Sequence, residues 1–406
     1  MKIVGIIAEF NPFHNGHKYL ISKAKEVCNA DAAVIVCSGN YVQRGMPAII
    51  NKTSRCEMAM LNGADLVIEL PVVYSTASAE LFATASIALL DSLNCVDYLC
   101  FGCETDSIDL LNTVAEILIN EPKEYKDLLT INLKTGISFP KARAKALDEY
   151  FKKYNLDYSL DINTFINQPN NILGIEYIKA LMRFNSKINP VPLKRLGAGY
   201  HSLDTRTKLA SATGIRTAMA NKDNISGLLP DNCLNIIKNH TTIEYNDFST
   251  VLGSKLLSMD TLDHIEGINQ DLSNRIANNK YNFTDIETFM PMLQSKNYTY
   301  SAISRALLHI ILDIKTDGLK EFISNNYVNY AMILGFNKNT GVLSEISKST
   351  KIPLVSKFAT FYKEADNNQR KMLDINLKAD NLYRMIYMNK TSETLPTEFQ
   401  RQIIIK

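Results

Sequence analysis

The chain has 406 residues, 46% of them hydrophobic, and its Lys and Arg residues outnumber its acidic residues by 44 to 42. This length allows two domains with sizeable cores, and the nearly neutral charge does not by itself indicate a nucleic-acid-binding protein. The seven cysteines are scattered and odd in number, which disfavours a disulfide framework and suits a reducing compartment. No apolar run is as long as a membrane span and no signal peptide is evident, so we expect a soluble cytoplasmic protein without a membrane partner.

The first part of the chain alternates strand-like and helix-like segments. Apolar, strand-like runs occupy 2–8, 32–37, 66–69, 97–101 and 191–195. Amphipathic stretches with helical spacing occupy 18–27, 54–61, 77–90, 109–119 and 174–182. Residues 120–167 are rich in Lys, Asp and Tyr and have helical character, so we interpret them as an insertion before the last strand. The alternation predicts an α/β fold with a doubly wound parallel sheet.

Strand-like alternation nearly vanishes after about residue 221, where helical spacing of Leu, Ile and Asn prevails, for example over 301–314. We therefore predict an α/β domain over 1–220 and a separate, mostly α-helical domain over 221–406. Neither part contains an internal repeat or a low-complexity tract.

The most informative segment is 6–17, where two histidines flank a glycine as the first strand gives way to a helix. An Asn-Pro break ends the strand, so a helix N-terminus with unpaired N–H groups and a positive dipole end follows directly. Gly16 lets a phosphate approach the backbone closely, and His14 and His17 can add donors. Open parallel sheets bind ligands at this place, which favours a nucleotide-triphosphate site over a loop with two solvated histidines.

The pattern from His14 to His17 resembles the signature of the HIGH superfamily, which comprises nucleotidylyltransferases and class I aminoacyl-tRNA synthetases. Members of that superfamily attack the α-phosphate of ATP and release pyrophosphate. Further motifs occur in an order that resembles the bacterial tRNA(Met) cytidine acetate ligase family. These motifs are EFNPFHNGH at 9–17, SGNYVQRG at 38–45, DLVIELP at 65–71, QPNNILG at 168–174, GYH at 199–201 and SATGIR at 211–216.

This resemblance implies an ATP-dependent tRNA acetate ligase. Such an enzyme makes acetyl-adenylate from ATP and acetate, then acetylates N4 of the wobble cytidine of elongator tRNA(Met) to give N4-acetylcytidine. It also implies a HIGH-type, Rossmann-like nucleotidyltransferase domain over 1–220 that binds ATP, followed by a tRNA-binding domain over 221–406. ATP, acetate and elongator tRNA(Met) are the expected partners, with Mg²⁺ accompanying ATP.

The predicted ATP site includes the whole strand-to-helix turn. Its residues are Ile7, Ala8, Glu9, Phe10, Asn11, Pro12, Phe13, His14, Asn15, Gly16, His17, Lys18, Tyr19 and Leu20. We expect His14 and His17 to act catalytically by donating to the β- and γ-phosphates and to the bridging oxygen as pyrophosphate leaves, with no covalent protein intermediate. Lys18 and Tyr19, in the first helical turn, are either further phosphate contacts or ordinary surface residues.

Three later positions are also expected to bind ATP. Gly102 closes the fourth strand, where a missing side chain lets adenine or ribose approach the sheet edge. Asn170 follows Pro169 at a predicted helix start, so it is an N-cap, an ATP ligand as in the family, or both. Arg195 ends the last strand and matches another ATP-binding position of the family; an ordinary surface arginine is the alternative.

The SATGIR run resembles the second signature of the superfamily. In that signature, hydroxyl and N–H groups at the start of a helix bind the triphosphate together with one arginine. Ser211, Thr213 and Arg216 are therefore phosphate candidates, with a plain helix cap as the alternative. His201 is a further candidate for the site.

Two basic regions are candidates for contacts with tRNA. The loop 40–51 contains Arg44 near two glycines, and we interpret it as a mobile lid or else as a solvated loop without a function. Lys296, Tyr298 and Arg305 lie in or near one helical segment, where they either face RNA phosphates and bases or belong to a solvated helix face.

Other chemistries are disfavoured. The pair Cys100 and Cys103 has C-x-x-C spacing but no second pair, and His240, His264 and His309 have no partners at metal-ligand spacing, so we predict no protein-bound metal. There is no P-loop and no Gly-x-Gly-x-x-Gly fingerprint, which excludes a dinucleotide cofactor. Two other functions stay open. The first is a small-molecule adenylyltransferase, but that function would not explain the helical half of the chain. The second is a non-catalytic RNA-binding protein, which the intact histidine pair disfavours.

Overall fold

The chain folds around one large sheet, and the computed structural model describes residues 1–156, 161–195, 210–296 and 298–406. The strands are β1 Ile3–Ala8, β2 Ala32–Ser38, β3 Tyr41–Val42, β4 Met46–Pro47, β5 Leu66–Leu70, β6 Tyr98–Cys103, β7 Asn189–Lys194, β8 Ala331–Phe336, β9 Leu354–Val355 and β10 Ile404–Ile405. The helices before β7 are α1 Asn15–Val27, α2 Lys52–Leu61, α3 Val72–Ser75, α4 Ala79–Leu93, α5 Ile108–Asn120, α6 Lys123–Lys134, α7 Phe139–Lys153, α8 Ile162–Asn167 and α9 Pro169–Arg183. The helices after β7 are α10 Ala212–Ala220, α11 Asp231–Lys238, α12 Ser249–Ser258, α13 Gln270–Asn279, α14 Ile286–Leu293, α15 Tyr300–Leu312, α16 Thr316–Ser324, α17 Val342–Ser349, α18 Phe358–Glu364 and α19 Asn367–Thr391. Short 3-10 turns lie at Tyr245–Phe248 and Lys280–Asn282.

Five parallel strands make up most of the sheet in the order β7-β6-β1-β2-β5, with β7 at one edge. The chain moves from β1 to β2 and β5 on one side, then returns to place β6 and β7 on the other side of β1. The strand order therefore reverses between β1 and β6, which is where sheets of this class bind ligands. The predicted α/β fold with a doubly wound parallel sheet is confirmed, and all five predicted strands are present.

Successive side chains of β1 point to opposite faces of the sheet, and both faces are covered. Ile3 and Ile7 belong to one buried cluster, whereas Val4, Ile6 and Ala8 belong to the other. Burial on both faces explains why the parallel strands are continuous apolar runs in the sequence.

The C-terminal part of the chain returns to the same sheet. Strand β8 pairs antiparallel with β5, and β9 and β10 pair parallel with β8. The part after about residue 221, predicted to be mostly helical with strand-like alternation nearly absent, thus also supplies three short strands to the sheet, and the sheet is not wholly parallel. The six residues of β8 are a short apolar run, which periodicity alone cannot distinguish from a buried helical segment.

The remaining C-terminal residues are mostly helical, and 120–167 contains α6, α7 and α8. Within the described parts of the chain, no helix is both long enough and apolar enough to cross a membrane.

Candidate active site

The turn between β1 and α1 brings Glu9 and both histidines to the carboxyl edge of the sheet. Strand β1 ends at Ala8, and Phe10 has a φ of 51°, in the left-handed region that is uncommon for a residue with a side chain. The Phe10 ring lies 4.9 Å from the Phe13 ring and 5.0 Å from the His17 ring, between ring centroids. This aromatic packing fixes the turn beside the point where the strand order reverses.

His14 and His17 cap the N-terminus of α1 reciprocally. Nδ1 of His14 accepts the Gly16 N–H at 3.1 Å, and Nδ1 of His17 accepts the His14 N–H at 3.2 Å. A neutral imidazole whose Nδ1 accepts a hydrogen bond carries its proton on Nε2. Each ring therefore has one Nε2–H donor left for a ligand. A Cβ on Gly16 would lie 2.9 Å from Cε1 of His14, so the cap requires glycine here.

Both histidines are neutral in this environment. Burial, together with the nearby Arg195 and Arg216, lowers the pKa of His14 to about 3. Burial, His14 and Arg195 hold the pKa of His17 well below its usual value. The two rings are stacked with their centroids 3.7 Å apart. Two protonated imidazolium rings at this distance would repel each other.

A cavity of about 180 Å³ opens in front of this cap. The predicted ATP-site residues that line it are Ile7, Ala8, Glu9, Phe10, Asn11, His14, His17, Leu20, Gly102, Asn170, Arg195, Ser211, Thr213 and Arg216. An adjoining cavity of about 70 Å³ adds Gly16 and Tyr19. Four predicted residues line neither cavity: Pro12, Phe13, Asn15 and Lys18. Lys18 is exposed, and the predicted His201 lies outside the described residues.

Asn170 is not the cap of α9, contrary to its plainest interpretation. Gln168 occupies the cap position and Pro169 is the first helical residue, so Asn170 is the second. The Asn170 amide donates to Oε1 of Glu104 at 2.6 Å, and its Oδ1 accepts from Nη1 of Arg195 at 3.3 Å. Its side chain thus orients an arginine at the cavity.

The side-chain stem of Arg195 lies across Gly102. A Cβ on Gly102 would meet Cγ of Arg195 at 3.4 Å, an ordinary contact distance. The Arg195 N–H donates to the Cys103 carbonyl at 2.9 Å, so the arginine backbone continues the pairing of β7 with β6. The two strand ends therefore position the guanidinium group beside the histidines.

The start of α10 supplies a second arginine. Ser211 is the N-cap, and its Oγ accepts the Gly214 N–H at 3.0 Å, which is the plain capping role considered for it. Arg216 donates to the Asn11 carbonyl at 2.7 Å and to Oγ1 of Thr213 at 3.2 Å. These bonds join α10 to the β1–α1 turn and orient Arg216 along the cavity.

The loop 40–51 is neither solvated nor free to swing as a lid. Its β3–β4 hairpin packs on α15, where Oγ of Ser304 donates to the Gly45 carbonyl at 2.8 Å. Gly45 has a φ of 78°, and a Cβ there would lie 2.3 Å from the Arg305 nitrogen. This close packing contradicts the interpretation of a mobile lid. Arg44, in the hairpin, lines the cavity.

The three C-terminal RNA candidates differ in exposure. Lys296 is exposed in the segment before α15, and the half-buried Tyr298 donates its hydroxyl proton to Oδ1 of Asn269 at 2.5 Å. Arg305 is half-buried on α15, and its backbone packs against Gly45. Lys296, the exposed member of the three, is therefore the simplest candidate for a surface contact with RNA.

A buried group of charges, not predicted from the sequence, lies near the same edge of the sheet. Nζ of Lys52 lies 2.8 Å from Glu69, 2.7 Å from Asp380 and 2.9 Å from Glu398, and Nε of Arg401 donates to Glu398 at 3.0 Å. We call these five residues the Lys52 cluster. Burial opposes the charge on Lys52, but the three carboxylates outweigh it and raise its pKa, while burial raises the pKa of Asp380 to about 7. The one signal in the sequence was a glutamate inside the apolar strand β5.

The apolar lining of the cavity was also missed. It includes Met46, Phe82, Phe101, Leu173 and Tyr177. These residues come from four elements, β4, α4, β6 and α9, and nothing in their local sequence distinguishes them from core residues.

Mg²⁺ fits this site only as part of a complex with a phosphate ligand. Glu9 is the single acidic residue among the described residues that line the cavity, and these parts of the chain contain no group of three or more His, Cys, Asp or Glu that could hold a metal. Mg²⁺ prefers six oxygen ligands, so phosphate oxygens and water would supply most of its coordination here.

A parallel sheet whose switch point holds a histidine-capped helix defines the HIGH class of nucleotidyl transferases. The family model described as HIGH Nucleotidyl Transferase matches residues 1–398 of the chain. The chain matches a crystal structure of Thermotoga maritima TmcAL with a TM-score of 0.93 and 30% sequence identity, and the match covers all of both chains. A second crystal structure of that protein, bound with alpha-thio ATP, gives a TM-score of 0.90 over the same coverage.

Curated relatives narrow the class further. A tRNA(Met) cytidine acetate ligase of Thermoanaerobacter sp. (strain X514) is 38% identical over 399 residues, which cover 96% of this chain and 97% of the relative. One of Clostridium tetani is 36% identical over the full length of both chains. The chain therefore belongs to the tRNA(Met) cytidine acetate ligase family.

Proposed function

We propose that this chain is an ATP-dependent ligase that acetylates N4 of the wobble cytidine of elongator tRNA(Met). An acetate oxygen attacks the α-phosphorus of ATP, the bond from that phosphorus to the bridging oxygen breaks, and pyrophosphate leaves. The cytidine amine then attacks the acetyl carbonyl, which forms the C–N bond and releases AMP. We expect this activity in the cytoplasm, where its tRNA substrate is found.

The observation that carries the proposal is the neutral histidine pair at the N-terminus of α1. Its two Nε2–H groups can donate to oxygens that gain charge as pyrophosphate leaves, and the positive end of the α1 dipole favours a nearby anion. The N–H groups of the first four helical residues, 15–18, are already bonded to His14 and Leu228. Arg195 and Arg216, which both lower the pKa of His14, provide positive charge for the triphosphate. Bound Mg²⁺ would supply further neutralisation of the phosphate charge.

The test combines purified protein, ATP, Mg²⁺, labelled acetate and an unmodified elongator tRNA(Met) transcript. We expect the label in N4-acetylcytidine after nucleoside analysis, with no label when ATP is omitted or when the wobble cytidine is replaced by uridine. Labelled acetyl-CoA without ATP should give no product. Transfer of AMP to a small phosphorylated molecule, with no label in the tRNA, would instead establish the adenylyltransferase alternative.

A further inference from the structure

Glu9 is an anomaly in a cavity that is otherwise built for anions. Arg44, Arg195 and Arg216 line the cavity, and Glu9 is its single acidic residue within the described part of the chain. A carboxylate repels both a triphosphate and an acetate ion, so it does not help to bind these two substrates. Its presence indicates a third ligand that offers an N–H group or a positive charge.

The backbone and hairpin fix the Glu9 carboxyl group. Oε1 accepts the Gln43 N–H at 2.7 Å, and the Gln43 side chain donates to the Ala77 carbonyl at 3.2 Å. The Arg55 guanidinium donates to the Glu9 carbonyl oxygen at 2.5 Å. No described residue donates to Oε2 of Glu9, and the side chain is not fully enclosed. One carboxylate oxygen is therefore held in place while the other remains available to a ligand.

Glu9 lines the same cavity as the two histidines, and Arg216 is a charge that both share. Arg216 acts to lower the pKa of His14 and of Glu9, and Arg44 acts on Glu9 as well. A ligand that reaches Glu9 therefore enters the same cavity as the triphosphate that the histidines and arginines are proposed to bind.

The wall near Glu9 suits a nucleobase. Val42 and Met46 flank the hairpin segment that contains Gln43 and Arg44, and both line the cavity together with Phe82 of α4. Apolar and aromatic side chains provide surfaces against which a splayed-out base can stack. Acidic side chains are the usual acceptors for the N4 amino group of cytosine, whereas uracil has an acceptor oxygen at that position.

We propose that Glu9 binds the N4 amino group of the target cytidine and takes its proton during acetyl transfer, an inference that rests on the proposed function. The N4 nitrogen forms a bond to the acetyl carbon, the bond from that carbon to the AMP oxygen breaks, and AMP leaves with the electron pair. The N4 proton moves to the Glu9 carboxylate. The same contact selects cytidine over uridine, because a carboxylate repels the uracil O4.

The environment of the carboxyl group agrees with this role. Burial raises the pKa of Glu9, against the lowering effects of the Gln43 N–H and of Arg216, Arg44 and Arg55. Glu9 in turn contributes to raising the pKa of the Cys37 thiol, which burial raises to about 11. A general base works best when its pKa is brought toward the working pH.

The experiment supplies synthetic acetyl-adenylate and elongator tRNA(Met) transcript to an excess of enzyme and measures acetylation in a single turnover. Glu9→Gln keeps an acceptor oxygen for the Gln43 N–H but cannot take a proton. We expect it to lower the transfer rate about 100-fold or more, a typical loss for a general base. The fold-loss of Glu9→Gln in acetyl transfer should be at least ten times its fold-loss in acetate-dependent ATP–pyrophosphate exchange. Transfer by the wild-type protein tests the proposed function separately, because its absence would contradict that function and not merely the role of Glu9.

Glu104→Gln is the matched control, since Glu104 holds Asn170 and Asn171 rather than lining the cavity. It should affect transfer no more than it affects exchange. Glu9→Asp keeps a carboxylate and should retain an intermediate transfer rate with a shifted acidic limb in its pH profile, which provides a second measurement if Glu9→Gln does not fold. Equal losses in both half-reactions, or a raised Mg²⁺ requirement for exchange by Glu9→Gln, would assign Glu9 to the ATP complex and overturn the inference. Transfer by Glu9→Gln within threefold of wild type would overturn it as well.

Discussion

The histidine cap and the Lys52 cluster are both buried polar groups, yet they are built from the chain in opposite ways. His14 and His17 are three positions apart and share one helix end, whereas Lys52 and Asp380 are 328 positions apart. A helix N-terminus fixes its own geometry, so a short motif is enough to encode a phosphate site. The Lys52 cluster exists only once the C-terminal segment has returned to the sheet. We therefore expect the cap to control chemistry and the cluster to control stability.

The largest expected effect is a loss of stability in the Lys52→Met variant. This change leaves Glu69, Asp380 and Glu398 buried together without their shared cation. Breaking a buried ion pair typically costs about 3–5 kcal/mol, so we expect the free energy of unfolding to fall by that amount. Denaturant unfolding of the purified variant measures it.

Lys371→Met provides the matched control, because Lys371 pairs with Glu321 at 2.6 Å on the surface. An exposed pair contributes about 0–1 kcal/mol, so this variant should remain close to wild type. Equal effects of the two methionine substitutions would show that the Lys52 cluster is no more important for stability than a surface pair.

The next effect is on catalysis, in the His14→Asn and His17→Asn variants. Asparagine keeps an oxygen acceptor near the position of Nδ1 for the capping hydrogen bonds, but its shorter side chain places no N–H donor at the position of the ring Nε2. Loss of one donor to a developing charge costs about 3 kcal/mol, so acetate-dependent pyrophosphate exchange should fall about 100-fold or more. The free energy of unfolding should change by less than about 1 kcal/mol. A variant that retains near-normal exchange would contradict the role of that histidine.

A smaller effect is expected on ATP affinity, in Arg195→Met. A hydrogen bond between charged groups contributes about 1.5–3 kcal/mol, so the Kd for ATP should rise about tenfold or more in calorimetry without tRNA. Lys187→Met makes the same change of charge at an exposed position just before β7 and should leave the Kd unchanged. Unchanged ATP affinity in Arg195→Met would remove this arginine from the ATP site.

The smallest effect is expected on tRNA binding, in Lys296→Glu. Each lost phosphate contact reduces the slope of log K against log salt by about one unit. The tRNA affinity and this slope should both fall in a filter-binding titration, while pyrophosphate exchange stays at the wild-type rate. Lys338→Glu is the control, because Lys338 is exposed and lies at the edge of the sheet opposite the cavity. The N–H of the neighbouring Asn337 donates there to the carbonyl of Asp65, just before β5 begins. A slope that does not change would make Lys296 an ordinary solvated residue.

The sequence predicted those parts of the molecule that depend on local order. Apolar runs identified all five parallel strands, and the segment from His14 to His17 identified the helix end that carries the cap. The position of Asn170 within its helix was not predictable to one residue, because Pro169 and Gln168 compete for the same helix start.

The contributions of distant segments were not predictable in the same way. The antiparallel strand β8 is a short apolar run inside a helical region, and its partner β5 can be identified only from the folded chain. Gly39 and Gly45, on either side of Arg44, predicted a mobile loop, but Gly45 is instead required by close packing against α15. Asp380 and Glu398 have no local feature that distinguishes them from surface acids.

Acetate-dependent exchange of labelled pyrophosphate into ATP, measured on the wild-type protein without tRNA, tests most directly whether the histidine-capped site activates acetate by itself. We expect exchange that requires both acetate and Mg²⁺-ATP and that is present before any tRNA is added. Exchange that proceeds without acetate, or that appears only when tRNA is present, would contradict this expectation.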